Sequence, residues 1–316
     1  MTAQLDGLRC HHSVLVIDAD DTLDKVLVPV LRRHAAGGEP VLLVVGAHTE
    51  RVLRQGLGDA ADRLEWGAQE QFYRQLGLAY SGFMRHLREQ SAHGRRVHVF
   101  GEPGYAGERL TAYLPYEAFY NEIFPAFGSP LTCVYDQRTH PAGVIEEMRQ
   151  VHSEEWTERG CLPNATYVPP GQFLNDRLRP LAPVPPHVEV DTVVCDLSEL
   201  TTCRTTLGRW AAAHHLPQAT LAQVLVAVNE VVTNGLGHGR TPVRVRAWRH
   251  ETNLVVQADD HGGRRIPPDA GYRPPKQPRD PMGLWAARQA ADILATDTSG
   301  GLTSVRMSFP HPPSVS

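Results

Sequence analysis

Six prolines crowd the interval between Tyr167 and Val188 (Pro169, Pro170, Pro180, Pro183, Pro185 and Pro186). Such an interval is expected to form neither a regular helix nor a central strand, because proline lacks a donor and fixes φ. It divides the chain into two segments, each long enough to bury a core of its own. Residues 173–187 are expected to form an extended, fairly stiff linker.

The patterns on either side differ. Before the prolines, Ser13–Ile17, Val41–Val45, Arg96–Phe100 and Leu131–Tyr135 are short apolar runs. Helical spacing separates them, as in Leu23, Val26, Leu27, Val30 and Leu31, and Gly37-Gly38 stops that helix. Strands that are apolar throughout and alternate with helices imply a parallel sheet covered on both faces. Beyond the prolines, a strand at Val188–Cys195 precedes two helices, Ser198–His215 and Thr220–Asn234. Val243–Trp248, Asn253–Ala258 and Thr303–Phe309 then read as strands, so the second segment is expected to be an α/β sandwich with helices on one face. The fold class is α/β in both segments, and no internal repeat is present.

Bulk properties narrow the function classes. The net charge of −4, from 31 basic and 35 acidic residues, argues against a general nucleic-acid binder. No run approaches the roughly 20 apolar residues of a membrane span, and Met1–Leu8 does not read as a signal peptide. Five scattered cysteines without a CxxC spacing suggest a reduced, cytoplasmic protein. None of the sixteen histidines forms an HxxxH pair.

Three sequence pieces in the second segment could carry chemistry. Glu230 and Asn234 lie four apart on one face of a helix whose apolar stripe is Leu221, Val224, Leu225 and Val228. Alone, the pair also reads as a surface acid and an amide capping the helix before Gly235. In Asp259-Asp260-His261-Gly262-Gly263 a strand ends in acids and then in glycines that allow close approach of a ligand, although many tight turns look alike. Asp280-Pro-Met-Gly283-Leu284 opens an apolar helical run through Trp285, Ala286, Ala287 and Ile293. Free N–H groups at such a start can receive phosphate, or the start can be an ordinary one after proline.

Taken in order, Asn229-Glu230-Val-Val-Thr-Asn234-Gly-Leu-Gly-His238-Gly239, Asp260-x-Gly262, Gly283-Leu284 and Gly301-Leu-Thr303 resemble the N, G1 and G2 boxes of the GHKL (Bergerat, HATPase) fold. The resemblance spans residues 188–310 and is nearest to anti-sigma-factor serine kinases of the RsbW type. It implies that ATP and Mg²⁺ are bound, with Asn234 giving an oxygen to Mg²⁺. Glu230 would be the general base toward a serine of an anti-sigma antagonist. Asp260 would accept the adenine amino group, Gly262 would admit the ring, and Gly283, Leu284 and Thr303 would complete the nucleotide site. This sequence departs from the family pattern at Arg264 and Pro281, where glycine is usual, and in its proline-rich lid (Arg264–Asp280). No histidine-bearing dimerisation helix precedes the domain, which argues against a sensor histidine kinase. His214-His215, Asn229 and Thr233 read as structural.

In the first segment, His12, Gly101-Glu102-Pro103, Tyr116-Glu117 with Asn121, Cys133-Val-Tyr135-Asp136 and His152 resemble, in that order, the MEDS sensory domain over residues 8–172. That domain is joined to GHKL domains in RsbA-like regulators. His12, Cys133, Asp136 and His152 could together hold a small effector or a metal, or be a core histidine, a buried thiol and two caps. No P-loop motif follows any strand, and no nucleophile–base pair supports an enzyme in this segment. The resemblances imply a cytoplasmic stress-response regulator that binds a sigma factor, an anti-sigma antagonist or both, and the family expectation is a homodimer. The alternative is a catalytically degenerate scaffold that sequesters a sigma factor under control of an N-terminal ligand.

Overall fold

A computed structural model gives the fold of the protein and describes residues 11–275 and 282–311. By its internal contacts the chain divides into two units, Met1–Phe173 and Leu174–Ser316.

The N-terminal unit is built on seven strands: β1 (His12–Ile17), β2 (Val41–Val44), β3 (Glu65–Trp66), β4 (His98–Gly101), β5 (Leu131–Asp136), β6 (Glu154–Thr157) and β7 (Gly160–Pro163). They lie in the order β3-β2-β4-β5-β1-β6-β7. Every neighbouring pair is parallel except β6 and β7, which form an antiparallel hairpin. The four apolar runs seen in the sequence are β1, β2, β4 and β5, the buried middle of the sheet. Sequence reasoning missed β3, which is two residues long, and the half-buried edge hairpin with its polar Glu154-Glu155-Trp156-Thr157. The helix Val28–Gly37 stops at Gly38, whose φ of 69° is left-handed, as the glycine pair predicted.

Alternation along β1 and β5 sorts two environments. Leu15, Ile17 and Val134 point into an aliphatic core with Leu23, Leu27, Leu31 and Leu53. His12 and Cys133 lie on the opposite face, since Val14 pairs with Cys133 and His12 is two residues earlier on the same side. The helix Gly107–Ile123, with its tyrosines, packs beside the helix Ala142–Val151.

The proline-rich interval is not wholly extended. A short helix, Pro170–Asp176, runs through the start of the expected linker, with Pro170 in its first position, where the missing N–H costs nothing. Among the cysteines, Cys133, Cys195 and Cys203 are free and Cys161 is disulfide-bonded.

The C-terminal unit has five strands: β8 (Val190–Val194), β9 (Val243–His250), β10 (Asn253–Asp260), β11 (Ile293–Asp297) and β12 (Thr303–Pro310). They form one antiparallel sheet in the order β11-β12-β10-β9-β8. Three helices, Leu197–Ala213, Gln218–His238 and Gly283–Ala290, share a core with Val245, Val256 and Met307 of the sheet. The first is capped reciprocally. Asp196 accepts from the amides of Ser198 and Glu199, and Glu199 accepts from that of Cys195, an arrangement worth about 1 kcal/mol.

The helix Gln218–His238 is long and apolar enough to span a membrane by length and composition alone. Its apolarity has a local cause: Val224, Ala227, Val228, Val231 and Val232 are buried in the core of this unit. Fully burying each valine contributes roughly 1.5–3 kcal/mol. Two expectations are corrected here. Asn234 is not a cap, because the helix runs one turn further, to His238. Ile293 does not continue the helix that starts at Gly283; it opens β11 after that helix ends at Ala290.

Candidate nucleotide pocket and buried donor cluster

In the C-terminal unit the end of β10, the last two turns of the helix Gln218–His238 and the start of the helix Gly283–Ala290 meet around a cavity of about 300 Å³. That is within the size range of small-molecule sites. Its walls are largely apolar, with Val231, Val243, Ala258, Ile266 and Val305, while Asn234, Asp260 and Thr303 supply polar groups. Asp260 and Thr303 face each other across β10 and β12 in register.

Asp260 is held by backbone. Its Oδ1 accepts from the amides of Gly262 (2.7 Å) and Arg240 (3.3 Å), and no hydrogen bond from the described residues reaches Oδ2. Gly239 is required at this point: a Cβ there would overlap the Asp260 carboxylate and lie 2.6 Å from the Gly235 carbonyl oxygen. A carboxylate so fixed offers its second oxygen to an N–H donor entering between apolar walls. This geometry suits an exocyclic amino group on a flat heterocycle.

At the helix start, Gly283 has a φ of +37°, and a Cβ on it would come 3.1 Å from Asn234 Nδ2. The Asn234 amide therefore lies directly beside the N-terminus of that helix, where backbone donors favour an anion. Asn234 is half-buried and its side chain makes no hydrogen bond to the described residues, so its oxygen can serve a hard cation. Glu230, one turn earlier, is half-buried and has no ion pair among the described residues, but it does not line the cavity. Gly262 likewise acts from behind, through its amide on Asp260, and Leu284 lines the pocket wall.

Arg264 lines the cavity without filling it, and its carbonyl accepts the Thr303 hydroxyl at 3.2 Å. Its backbone is not left-handed, so the position tolerates a side chain where the family pattern has glycine. Pro281 lies outside the described residues. The described part of the lid is tied down by Arg288, which sequence reasoning missed. Its Nε donates to Ala270 O and its Nη1 to Leu294 O, both at 2.9 Å, and its guanidinium lies 3.8 Å from the Tyr272 ring centroid. The available signal was an arginine directly after the apolar run Leu284-Trp285-Ala286-Ala287.

The N-terminal unit holds the second constellation. His12, Cys133 and His152 are fully buried and their donor atoms lie within 4.8 Å of one another. Cys133 Sγ is 3.6 Å from His12 Nε2, and His152 Nε2 is 3.8 Å from Oε2 of the equally buried Glu117. Asp136 does not belong to this group. Its strand position, three after Cys133, turns it to the other face, where it is ion-paired with Arg138. Glu117 takes its place; the sequence signal was a carboxylate amid aromatic residues in Tyr113–Phe124.

Burial dominates the electrostatics of the cluster. It lowers His12 well below the usual histidine value, aided by His152, and lowers His152 to about 4. It raises Glu117 to about 7 and pushes the Cys133 thiol well up, with Glu117 adding to the latter. The His152–Glu117 approach is thus a contact between a neutral ring and a partly protonated acid, and not a formed ion pair. Tyr135 and Cys133 lie close enough to Glu117 to ease its ionisation, yet neither Glu117 oxygen has a hydrogen bond of normal geometry.

Two families match the chain. Residues 11–153 match MEDS, the MEthanogen/methylotroph, DcmR Sensory domain, and residues 193–309 match the Histidine kinase-like ATPase domain. No curated protein matches the chain. The pairing supports a regulatory, ATP-binding protein. The chain carries an N-terminal MEDS domain followed by a C-terminal domain of the histidine kinase-like ATPase family.

Proposed function

We propose that this protein is a cytoplasmic anti-sigma regulator whose C-terminal domain binds Mg·ATP and phosphorylates a serine of an anti-sigma antagonist. The observation that carries the nucleotide assignment is the Asp260 carboxylate, pinned through Oδ1 and free at Oδ2 on the wall of an apolar cavity. Asp260 accepts the adenine amino group, the apolar walls take the ring, and Asn234 gives its oxygen to Mg²⁺ beside the start of the helix Gly283–Ala290. Glu230 accepts the proton of the attacking serine hydroxyl. ATP supplies the phosphoryl group. The N-terminal domain senses a small ligand and alters how the protein holds its sigma factor or antagonist.

A second reading is a nucleotide-binding scaffold that sequesters a sigma factor without turnover. It is favoured by one observation, that Glu230 stands outside the cavity lining. Calorimetric titration of the purified chain with Mg·ATP and Mg·ADP tests both readings. Binding should be lost in Asp260→Asn and Asn234→Ala and retained in Glu230→Ala. Phosphoryl transfer to antagonist proteins should vanish in Glu230→Ala; no transfer by the wild type would leave the scaffold. Absence of nucleotide binding by the wild type would sink both.

A further inference from the structure

We propose that His12, Cys133 and His152, with the Glu117 carboxyl group adjoining them, form a site for a single zinc-like divalent metal ion inside the N-terminal unit. The four donors are two imidazoles, a thiol and a carboxyl group, the combination that selects zinc and its neighbours over Mg²⁺ or Ca²⁺. The donor atoms of His12, Cys133 and His152 lie within 4.8 Å of one another, and Glu117 adjoins His152. Zn–S and Zn–N bonds of about 2.3 and 2.05 Å at a tetrahedral angle put sulfur and nitrogen about 3.5 Å apart. Cys133 Sγ and His12 Nε2 are 3.6 Å apart, and the His152 Nε2 to Glu117 Oε2 edge is 3.8 Å. All four side chains are fully buried, and they come from β1, β5, the helix Gly107–Ile123 and the end of the helix Ala142–Val151.

The surrounding hydrogen bonds prepare the donors. His152 Nδ1 is 2.6 Å from the Met148 carbonyl oxygen, so Nδ1 carries the proton and the lone pair of Nε2 faces the cluster. That Nε2 and both Glu117 oxygens have no hydrogen-bond partner. On the far side of His12, Asn121 is anchored by its Nδ2 to the carbonyls of Ala118 and Val151. The Asn121 side chain lies near His12, but neither Asn121 Oδ1 nor His12 Nδ1 has a hydrogen-bond partner among the described residues. The carbonyl acceptor behind His152 is the arrangement found around metal-bound histidines.

Charge completes the argument. Two neutral imidazoles, a thiolate and a carboxylate carry two negative charges, and a divalent ion brings the enclosed site to zero. Without the ion, a carboxyl group and a ring nitrogen sit desolvated and unpaired in a core, which native structures rarely tolerate. On binding, the Cys133 S–H bond is replaced by a sulfur–metal bond, and the thiol proton, together with the Glu117 carboxyl proton where it is present, leaves to solvent.

The test uses the full chain without nucleotide. Metal content is measured as isolated, the protein is stripped with a chelator, and Co²⁺ is added back as a spectroscopic probe. One equivalent should bind, with the intense visible bands of tetrahedral cobalt, a thiolate-to-cobalt charge-transfer band and a rise in Tm. Cys133→Ser, nearly isosteric, should lose the charge-transfer band, whereas Cys195→Ser should keep it. Glu117→Gln, which leaves the thiol in place, should keep that band and weaken binding. Substoichiometric binding, a weak octahedral spectrum, or a charge-transfer band that survives Cys133→Ser would each overturn the proposal. A chain that binds no metal in any of these forms would return the cluster to a core or an organic-effector site.

Discussion

The two sites solve the problem of buried polarity in opposite ways. In the C-terminal pocket a single carboxylate enters a cavity wall, and backbone amides of Gly262 and Arg240 compensate it at once. The carboxylate is held in place without a guest, with Oδ2 left open toward the cavity, and most other lining side chains serve as walls. In the N-terminal cluster, groups from four separate elements meet in a closed core and leave His152 Nε2 and both Glu117 oxygens uncompensated. The first site is built to admit and release a ligand. The second leaves desolvated polar groups unpaired, a cost that the proposed metal ion would relieve.

That contrast predicts opposite responses to removing polarity. Replacing Glu117 by methionine, of similar volume, should stabilise the chelator-stripped N-terminal unit by about 2 kcal/mol while abolishing metal uptake. Urea unfolding with and without Zn²⁺ measures both. A loss of stability in the stripped protein would mean that the carboxyl group is already satisfied, and the contrast would fail. In the pocket, Gly239→Ala should cost about 2 kcal/mol by forcing a methyl group into the Asp260 carboxylate, or about 30-fold in nucleotide affinity. Unchanged ATP binding in that variant would show that Asp260 can move, and that the backbone does not fix it.

The same contrast governs what could be read from the sequence. The pocket was legible because its parts are local: a helical i, i+4 pair, a strand ending in Asp260, glycines nearby. Each reports its own backbone, and their order along the chain assembles the site. Its limits were misjudged where tertiary packing took over, since Asn234 lies a turn inside its helix and Ile293 begins a strand. Arg288 gave little local sign of anchoring Ala270 and Tyr272, because its partners lie far from it in the chain or in the following strand. The N-terminal cluster was only partly legible. His12, Cys133 and His152 were singled out, but strand alternation excludes Asp136, and only the packing of the helix Gly107–Ile123 brings in Glu117. Four elements converge on that cluster, and convergence is not a property of any one segment.

The smallest expected effect is at Arg264, and its sign separates two views of the pocket mouth. If the side chain obstructs the cavity, Arg264→Gly should tighten binding of adenosine and ATP alike. The structure favours the other view: Arg264 is exposed, borders a cavity that remains open, and its tie to Thr303 runs through a carbonyl that glycine would keep. Its guanidinium then acts only as a solvent-screened cation toward the triphosphate, worth about 0.5 kcal/mol or less at physiological salt. Arg264→Gly should leave adenosine affinity unchanged and weaken ATP by roughly twofold at low salt, with the difference disappearing as salt is raised. Calorimetry with both ligands at two ionic strengths reads this directly. Equal tightening of adenosine and ATP would mean that this arginine is a plug, and that backbone alone does not define the open site.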